Sequence, residues 1–191
     1  MKILGLDSSG IVASVAIVED ENLIAEYTVN YKKTHSQTLL PMLDELVKMT
    51  ELDLDTIDAI AVAAGPGSFT GLRIGSATAK GLGLALKKPL VEIPTVDALA
   101  YNLYDSRALI CPIMDARRSQ VYTGIYRFQE HKLVTVEAQM AVPMAEMIEK
   151  LNARGEEVVF LGDGVPVFGK MIQENLMGPY SFAPAHVNKH R

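Results

Sequence analysis

The chain has 191 residues, is 49% hydrophobic and 21% charged, and carries a formal net charge of −5. That length suits one domain or two small lobes with a substantial core, and the acidic balance argues against an autonomous nucleic-acid binder, which ordinarily presents a basic face. One cysteine, Cys111, excludes a disulfide framework and points to a reducing compartment, and the opening MKILGLD meets Asp7 too early for a signal peptide, so a cytoplasmic location is expected.

Lys2 to Leu6 reads as a buried strand that ends in Asp7-Ser8-Ser9-Gly10. Ile11 to Val18 and Leu23 to Asn30 follow as strands, and the short loops between the three predict an antiparallel meander. Thr34-His35-Ser36 opens a helix to about Thr50. Its apolar residues, among them Leu39, Met42, Leu43 and Leu46, cover roughly 180° of the helical wheel, against about 100° for an ordinary surface helix. The β-favouring run Ile57 to Ala64 comes next and feeds the turn Gly65-Pro66-Gly67-Ser68-Phe69-Thr70-Gly71. Pro66 has its φ fixed and pushes Gly65 away from the helical region, and Ser68 or Thr70 is placed to cap the next helix.

That helix, to Leu86, is built from small residues. Gly71, Gly75, Ala79 and Gly83 recur every four residues, and Ala77, Gly81 and Ala85 make a second row. Each interior glycine costs about 1 kcal/mol relative to alanine, so a close neighbour is implied. Three readings stay open: tight packing on the chain's own sheet, a helix–helix interface with another chain, or a phosphate-cradling loop. The last lacks support from motifs, because Thr70 stands where GxGxxG needs glycine and no Gly-Lys-Ser/Thr follows. Arg73 and Lys80 exclude a membrane span.

Pro89 to Ile93 is a short strand and Thr95 to Tyr104 a connecting helix, after which the pattern recurs. Ala108 to Met114 is a strand ending in Asp115, followed by strands Gln120 to Phe128 and Lys132 to Gln139. A helix from Pro143 to Asn152 starts with proline in its first turn, then come a strand, Val158 to Leu161, the turn Gly162-Asp163-Gly164, and a helix, Val165 to Asn175. No periodicity is legible after Gly178-Pro179. The two βββαβα halves, the second incomplete at the C-terminus, predict the duplicated ribonuclease-H-like α/β fold of actin, sugar kinases and heat-shock ATPases, with lobes over 1–105 and 106–191. Asp7 and Asp115 then take equivalent places at the end of each half's first strand. With Ser8, Ser9, Gly162, Asp163 and Gly164 they are candidates for a vestigial nucleotide site; the simpler alternative is that the two aspartates bond turn amides.

The residues carry a family resemblance over essentially the whole chain. GPGSFTGLRIG followed by AKGLGLAL, the opening ILGLDSSG, THSQTLLPML, IPTVDALA and MDARRSQVYTGIY resemble the TsaB (YeaZ) family, which takes part in making threonylcarbamoyladenosine on tRNA. The resemblance implies a chain without catalysis of its own. Its implied partners are a TsaD-type transferase of the same fold and a TsaE-type ATPase, and it forms a homodimer in isolation. It also implies that tRNA and any ATP or Mg²⁺ are met only through the complex, that the chain itself holds no cofactor or metal, and that no membrane is involved. The family's interface uses the first two helices, here Ser36 to Met49 and Gly71 to Leu86. The expected contact residues are Leu39, Met42, Leu43, Leu46, Gly71, Arg73, Gly75, Ala79 and Gly83.

The family is related to proteins once labelled glycoproteases, whose catalytic members carry a His-x-x-x-His pair; Thr95 and Leu99 stand at the matching places here. A His-x-x-x-His at His186 and His190 lacks the glutamate of HExxH and a third ligand. His35 beside Ser36 reads as capping chemistry, and Arg117-Arg118 as a solvated turn. No nucleophile, base and stabiliser assemble together. The alternatives to a non-catalytic partner are an ATP-dependent kinase, which rests on fold analogy alone, and, third, a metallopeptidase.

Overall fold

In the computed structural model, which describes residues 1–31 and 34–189, the chain opens with β1 (Lys2–Asp7), β2 (Ala13–Glu19) and β3 (Asn22–Val29), paired antiparallel in sequence order. α1 (His35–Thr50) follows, then β4 (Ala59–Gly65), α2 (Phe69–Leu86) and β5 (Leu90–Pro94). β4 adds parallel to β1 and β5 parallel to β4, giving the sheet order β3-β2-β1-β4-β5. Alternation along the strands sends Leu4, Leu6, Val15, Ile17, Ile60 and Val62 to one core. α1 lies over β2 and β3, and α2 over β4 and β1. Gly65 ends β4 at φ +109°, a conformation that L side chains rarely adopt.

The second unit repeats the plan. α3 (Thr95–Tyr101) leads into β6 (Leu109–Asp115), β7 (Gln120–Gln129), β8 (Lys132–Pro143), α4 (Met144–Arg154), β9 (Val158–Leu161), α5 (Val165–Asn175) and β10 (Tyr180–Phe182). Its sheet order is β10-β9-β6-β7-β8. β6 pairs antiparallel with β7 and parallel with β9, as β1 does with β2 and β4. Both units therefore carry the same five-stranded ribonuclease-H-like sheet, and the fold is duplicated.

Two details differ from the sequence reading. The stretch after Pro179, where no periodicity is legible, contributes β10, a strand of three residues beside β9, so the second sheet is not short of a strand. The division also falls earlier than residue 105: the two units are Met1–Thr95 and Val96–Lys189. α3 goes with the second unit because Val96, Leu99 and Ala100 are buried with Ile110, Met114, Tyr126 and Leu161. The Tyr126 hydroxyl also donates to Asp97 at 2.6 Å. Among the described residues no helix is long and apolar enough to cross a membrane.

Candidate functional site

The strand-end aspartates use the same hydrogen bond in both units. Asp7 Oδ1 accepts the Ser9 amide at 2.7 Å and the Ser9 hydroxyl at 2.6 Å. Asp115 Oδ1 accepts the Arg117 amide at 2.9 Å, and its other oxygen meets the Arg117 guanidinium at 3.3 Å. Each carboxylate closes a turn two residues on.

In the first unit this turn is interlocked with the start of α2. Ser68 N–H donates to Ser9 O at 2.6 Å, Gly71 N–H to Ser68 Oγ at 3.3 Å, and Ser8 Oγ to Gly71 O at 2.9 Å. Ser8 and Ser9 are buried. A helix N-terminus binds phosphate through free N–H groups; here the chain's own oxygens take the Ser68 and Gly71 donors. A Cβ on Gly67 would stand 2.4 Å from Ser9 O, so this glycine is explained by backbone packing.

The second-unit candidates behave alike. Gly162, at φ +109°, and Gly164 admit the Ile113 carbonyl, which would lie 2.2 and 2.9 Å from a Cβ at those positions. Gly164 N–H donates to that carbonyl at 2.9 Å, and Asp163 Oδ1 accepts the Asp115 amide at 3.1 Å. Ser8, Ser9, Gly162, Asp163 and Gly164 thus all have local structural roles.

His35 is not a cap. Thr34 occupies the N-cap without a side-chain bond to the helix amides, while a ring nitrogen of His35, Nε2, lies 2.8 Å from Gly10 O. A carbonyl only accepts, so Nε2 carries the proton, and Nδ1 is buried with no hydrogen-bond partner among the described residues. His35 ties α1 to the β1–β2 turn. Thr95 is fully buried and accepts the Gly65 amide at 3.1 Å, and Leu99 lies in the second unit's core. Neither is a metal ligand. His190 of the His-x-x-x-His pair lies outside the described residues. Among the described residues no three His, Cys, Asp or Glu side chains converge as a metal would need.

The interface candidates require correction. Leu39, Met42, Leu43 and Leu46 are all buried beneath α1, in the first unit's own core. Gly71, Gly75, Ala79 and Gly83 are the buried row of α2. A Cβ would stand 2.0 Å from Ser8 O at Gly71, 2.6 Å from Ser8 Oγ at Gly75, and 2.9 Å from Leu90 Cδ2 at Gly83. These four residues of the apolar arc and the first small-residue row are therefore covered by this chain. Of the nine expected contact residues only Arg73 faces outward.

Among the described residues nothing covers the opposite face of α2. Phe69 is 74% exposed and Leu84 83% exposed, and Arg73, Ala77, Lys80, Gly81 and Ala85 are exposed with them. A Cβ on Gly81 would meet no atom within 4 Å. The Arg73 guanidinium stacks over the Phe69 ring at 5.2 Å. Leu40 and Met49 of α1 are also exposed. Sequence reasoning noted the Ala77, Gly81, Ala85 row but missed Phe69, Lys80 and Leu84. Their signal was available, since they lie across the helical wheel from the Gly71 row, on the side that carries the two cations.

The family model for TsaD, tRNA N6-adenosine threonylcarbamoyltransferase, matches residues 22–190. The tRNA threonylcarbamoyladenosine biosynthesis protein TsaB of Bacillus subtilis is 36% identical over 182 residues, covering 95% of this chain and 79% of that protein. The Escherichia coli protein of the same name is 30% identical over 167 residues, 86% of this chain and 72% of that one. The solved structure of YeaZ from Pseudomonas aeruginosa superposes with a TM-score of 0.82 at 26% identity, covering 99% of this chain and 86% of that one.

Proposed function

Because the chain belongs to the TsaB family and has a role in tRNA threonylcarbamoyladenosine biosynthesis, we propose that it acts there as a non-catalytic partner of a TsaD-type transferase subunit, docked through the outward face of α2. Gly81 is the observation that carries this reading. A glycine inside a helix forgoes about 1 kcal/mol, and Gly71, Gly75 and Gly83 are each explained by an atom of this chain against which a side chain would collide. Gly81 has no such neighbour. A second helix crossing at Ala77, Gly81 and Ala85 supplies the missing neighbour, since small residues four apart let backbones approach closely. Leu84 and Phe69, both large and exposed, flank the row as anchors.

In this reading a TsaE-type ATPase completes the assembly in the cytoplasm. Transfer chemistry, nucleotide and tRNA belong to the partner subunits. The division fits the local bonds, for Asp7, Asp115 and Asp163 each accept backbone amides of their own unit. In the absence of the transferase the same face serves self-association.

The test is reconstitution of tRNA modification from this chain, a TsaD-type subunit and a TsaE-type ATPase, with each omitted in turn. Omitting this chain abolishes modification, the chain alone neither modifies tRNA nor turns over Mg-ATP, and a Gly81→Trp variant stays folded but fails to restore activity. Turnover of Mg-ATP by the chain alone overturns the non-catalytic reading. Full activity of Gly81→Trp overturns the interface.

A further inference from the structure

A second surface lies on the far side of α1. β3 ends the sheet order β3-β2-β1-β4-β5, and α1 covers β2 and β3, so this flank of α1 faces away from α2. Natural sheets guard an open edge with lysine, proline or a bulge. β3, NLIAEYTV, contains neither lysine nor proline, and its pairing with β2 is regular from Ala25 to Val29. Among the described residues it has no second strand beside it. A groove borders this edge. Tyr27, Val29 and Tyr31, every second residue, line the wall on the β3 side, and Gln37, Pro41 and Glu45 of α1 line the other. Tyr27 is 42% exposed and Tyr31 68% exposed.

From Gln37 to Glu45 the groove follows α1 for about 12 Å, room for about four extended residues. Among the described residues Glu45 is the one charged side chain lining it. Glu45 is exposed and, among the same residues, has no ion-pair partner. Lys48, one turn on, is held by Asp44 at 2.6 Å, and the only charged residue of β3 is Glu26. A carboxylate beside tyrosine rings suits a cation. A long basic side chain can lay its apolar stem along Val29 and Pro41 while its head reaches Glu45. The open edge supplies main-chain bonds and the groove supplies selectivity, the two components of recognition by strand addition. We propose that this face binds an extended, basic segment of another protein, which pairs with β3 and places a lysine or arginine among Tyr27, Tyr31 and Glu45. The proposal does not depend on the reading of α2 as a docking face.

The experiment uses the full chain, with a random peptide library displayed on phage as the probe. Selection enriches peptides in which apolar residues alternate around a lysine or arginine. The best of them is synthesised and titrated calorimetrically against the wild type, Glu45→Gln, Tyr31→Ala and Gly81→Trp. Glu45→Gln and Tyr31→Ala each weaken binding about three- to fivefold, the size of an exposed ion pair or cation–π contact. The Glu45→Gln loss closes as salt screens the pair, and Gly81→Trp binds as the wild type does. Hydrogen exchange of β3 amides slows in the complex. No enrichment, enriched peptides without a cation, or equal affinity for the wild type, Glu45→Gln and Tyr31→Ala overturns the proposal. Unchanged exchange in β3, or binding lost in Gly81→Trp alone, also overturns it. Sedimentation tests the remaining occupant: if Tyr31→Ala weakens self-association of the chain, a second copy covers this edge and the proposal fails. Circular dichroism melts of every variant establish that the fold is intact.

Discussion

Gly75→Ala and Gly81→Ala make the same chemical change on the same helix, yet the structure predicts opposite signs. Helix propensity alone favours alanine by about 1 kcal/mol at each position. At Gly81 nothing opposes it, because the new methyl meets no atom within 4 Å. Gly81→Ala therefore stabilises the isolated chain by about 1 kcal/mol, a rise in Tm of about 2–4 °C for a protein of this size. At Gly75 the methyl would stand 2.6 Å from Ser8 Oγ and 3.6 Å from Val62 Cγ2. That hydroxyl is buried and donates to Gly71 O at 2.9 Å, so it yields only by breaking its bond. Losing a buried hydrogen bond costs about 1–3 kcal/mol and overpacking about 1–3 more, so after the propensity gain of about 1 kcal/mol Gly75→Ala loses about 1–5 kcal/mol. Urea unfolding followed by circular dichroism reads both, with an unchanged slope and midpoints moving in opposite directions. Equal stabilisation by the two variants would refute the packing of the Gly71 row against Ser8. Destabilisation by Gly81→Ala would refute the open outward face.

Other outcomes follow from the second unit and from pH. Cys111, buried beside Thr123, has its thiol pushed up from 9.0 to about 12 by burial, against the pull of the Thr123 hydrogen bond. The unfolded chain loses this proton above about pH 9 while the folded chain keeps it, so stability falls by about 1.4 kcal/mol per pH unit above that point. Cys111→Ala removes that part of the slope in urea melts at pH 8 to 11, and an unchanged slope contradicts the assignment. Tyr126 is raised from 10.0 first by burial and then by its bond to Asp97, and it adds to the same alkaline loss above pH 10. Tyr126→Phe removes that bond and costs about 1–3 kcal/mol, seen as a lower melting temperature. A loss under about 0.5 kcal/mol would mean the bond does little to hold α3 on β7.

The order of strands and helices was legible because each core strand is a short apolar run closed by turn residues, and because Asp7 and Asp115 end matching strands with matching turns. The duplication follows from that repetition. The facing of α2 was harder. Two rows of small residues, Gly71-Gly75-Ala79-Gly83 and Ala77-Gly81-Ala85, satisfy the same spacing rule, and spacing alone does not say which row meets the sheet. Arg73 and Lys80 decide it, since a cation on one face sends the opposite row inward. The apolar arc of α1 misled because Leu39, Met42, Leu43 and Leu46 all pack on a broad meander that the arc alone does not reveal. β10 was invisible because three residues are too few for an alternation to register. The unit boundary was missed because α3 follows β5 without a break, while its contacts lie with Ile110 and Tyr126, which come later in the chain.

A single labelling measurement bears most directly on the α2 face. A Leu84→Cys chain is alkylated with a maleimide alone and in the presence of a TsaD-type subunit, with Met177→Cys, at a position 85% exposed in the second unit, as the reference and the buried Cys111 silent. Docking on this face gives rapid labelling at 84 in the free chain, strong protection in the complex, and no change at 177. Equal labelling at 84 with and without the bound subunit would contradict it.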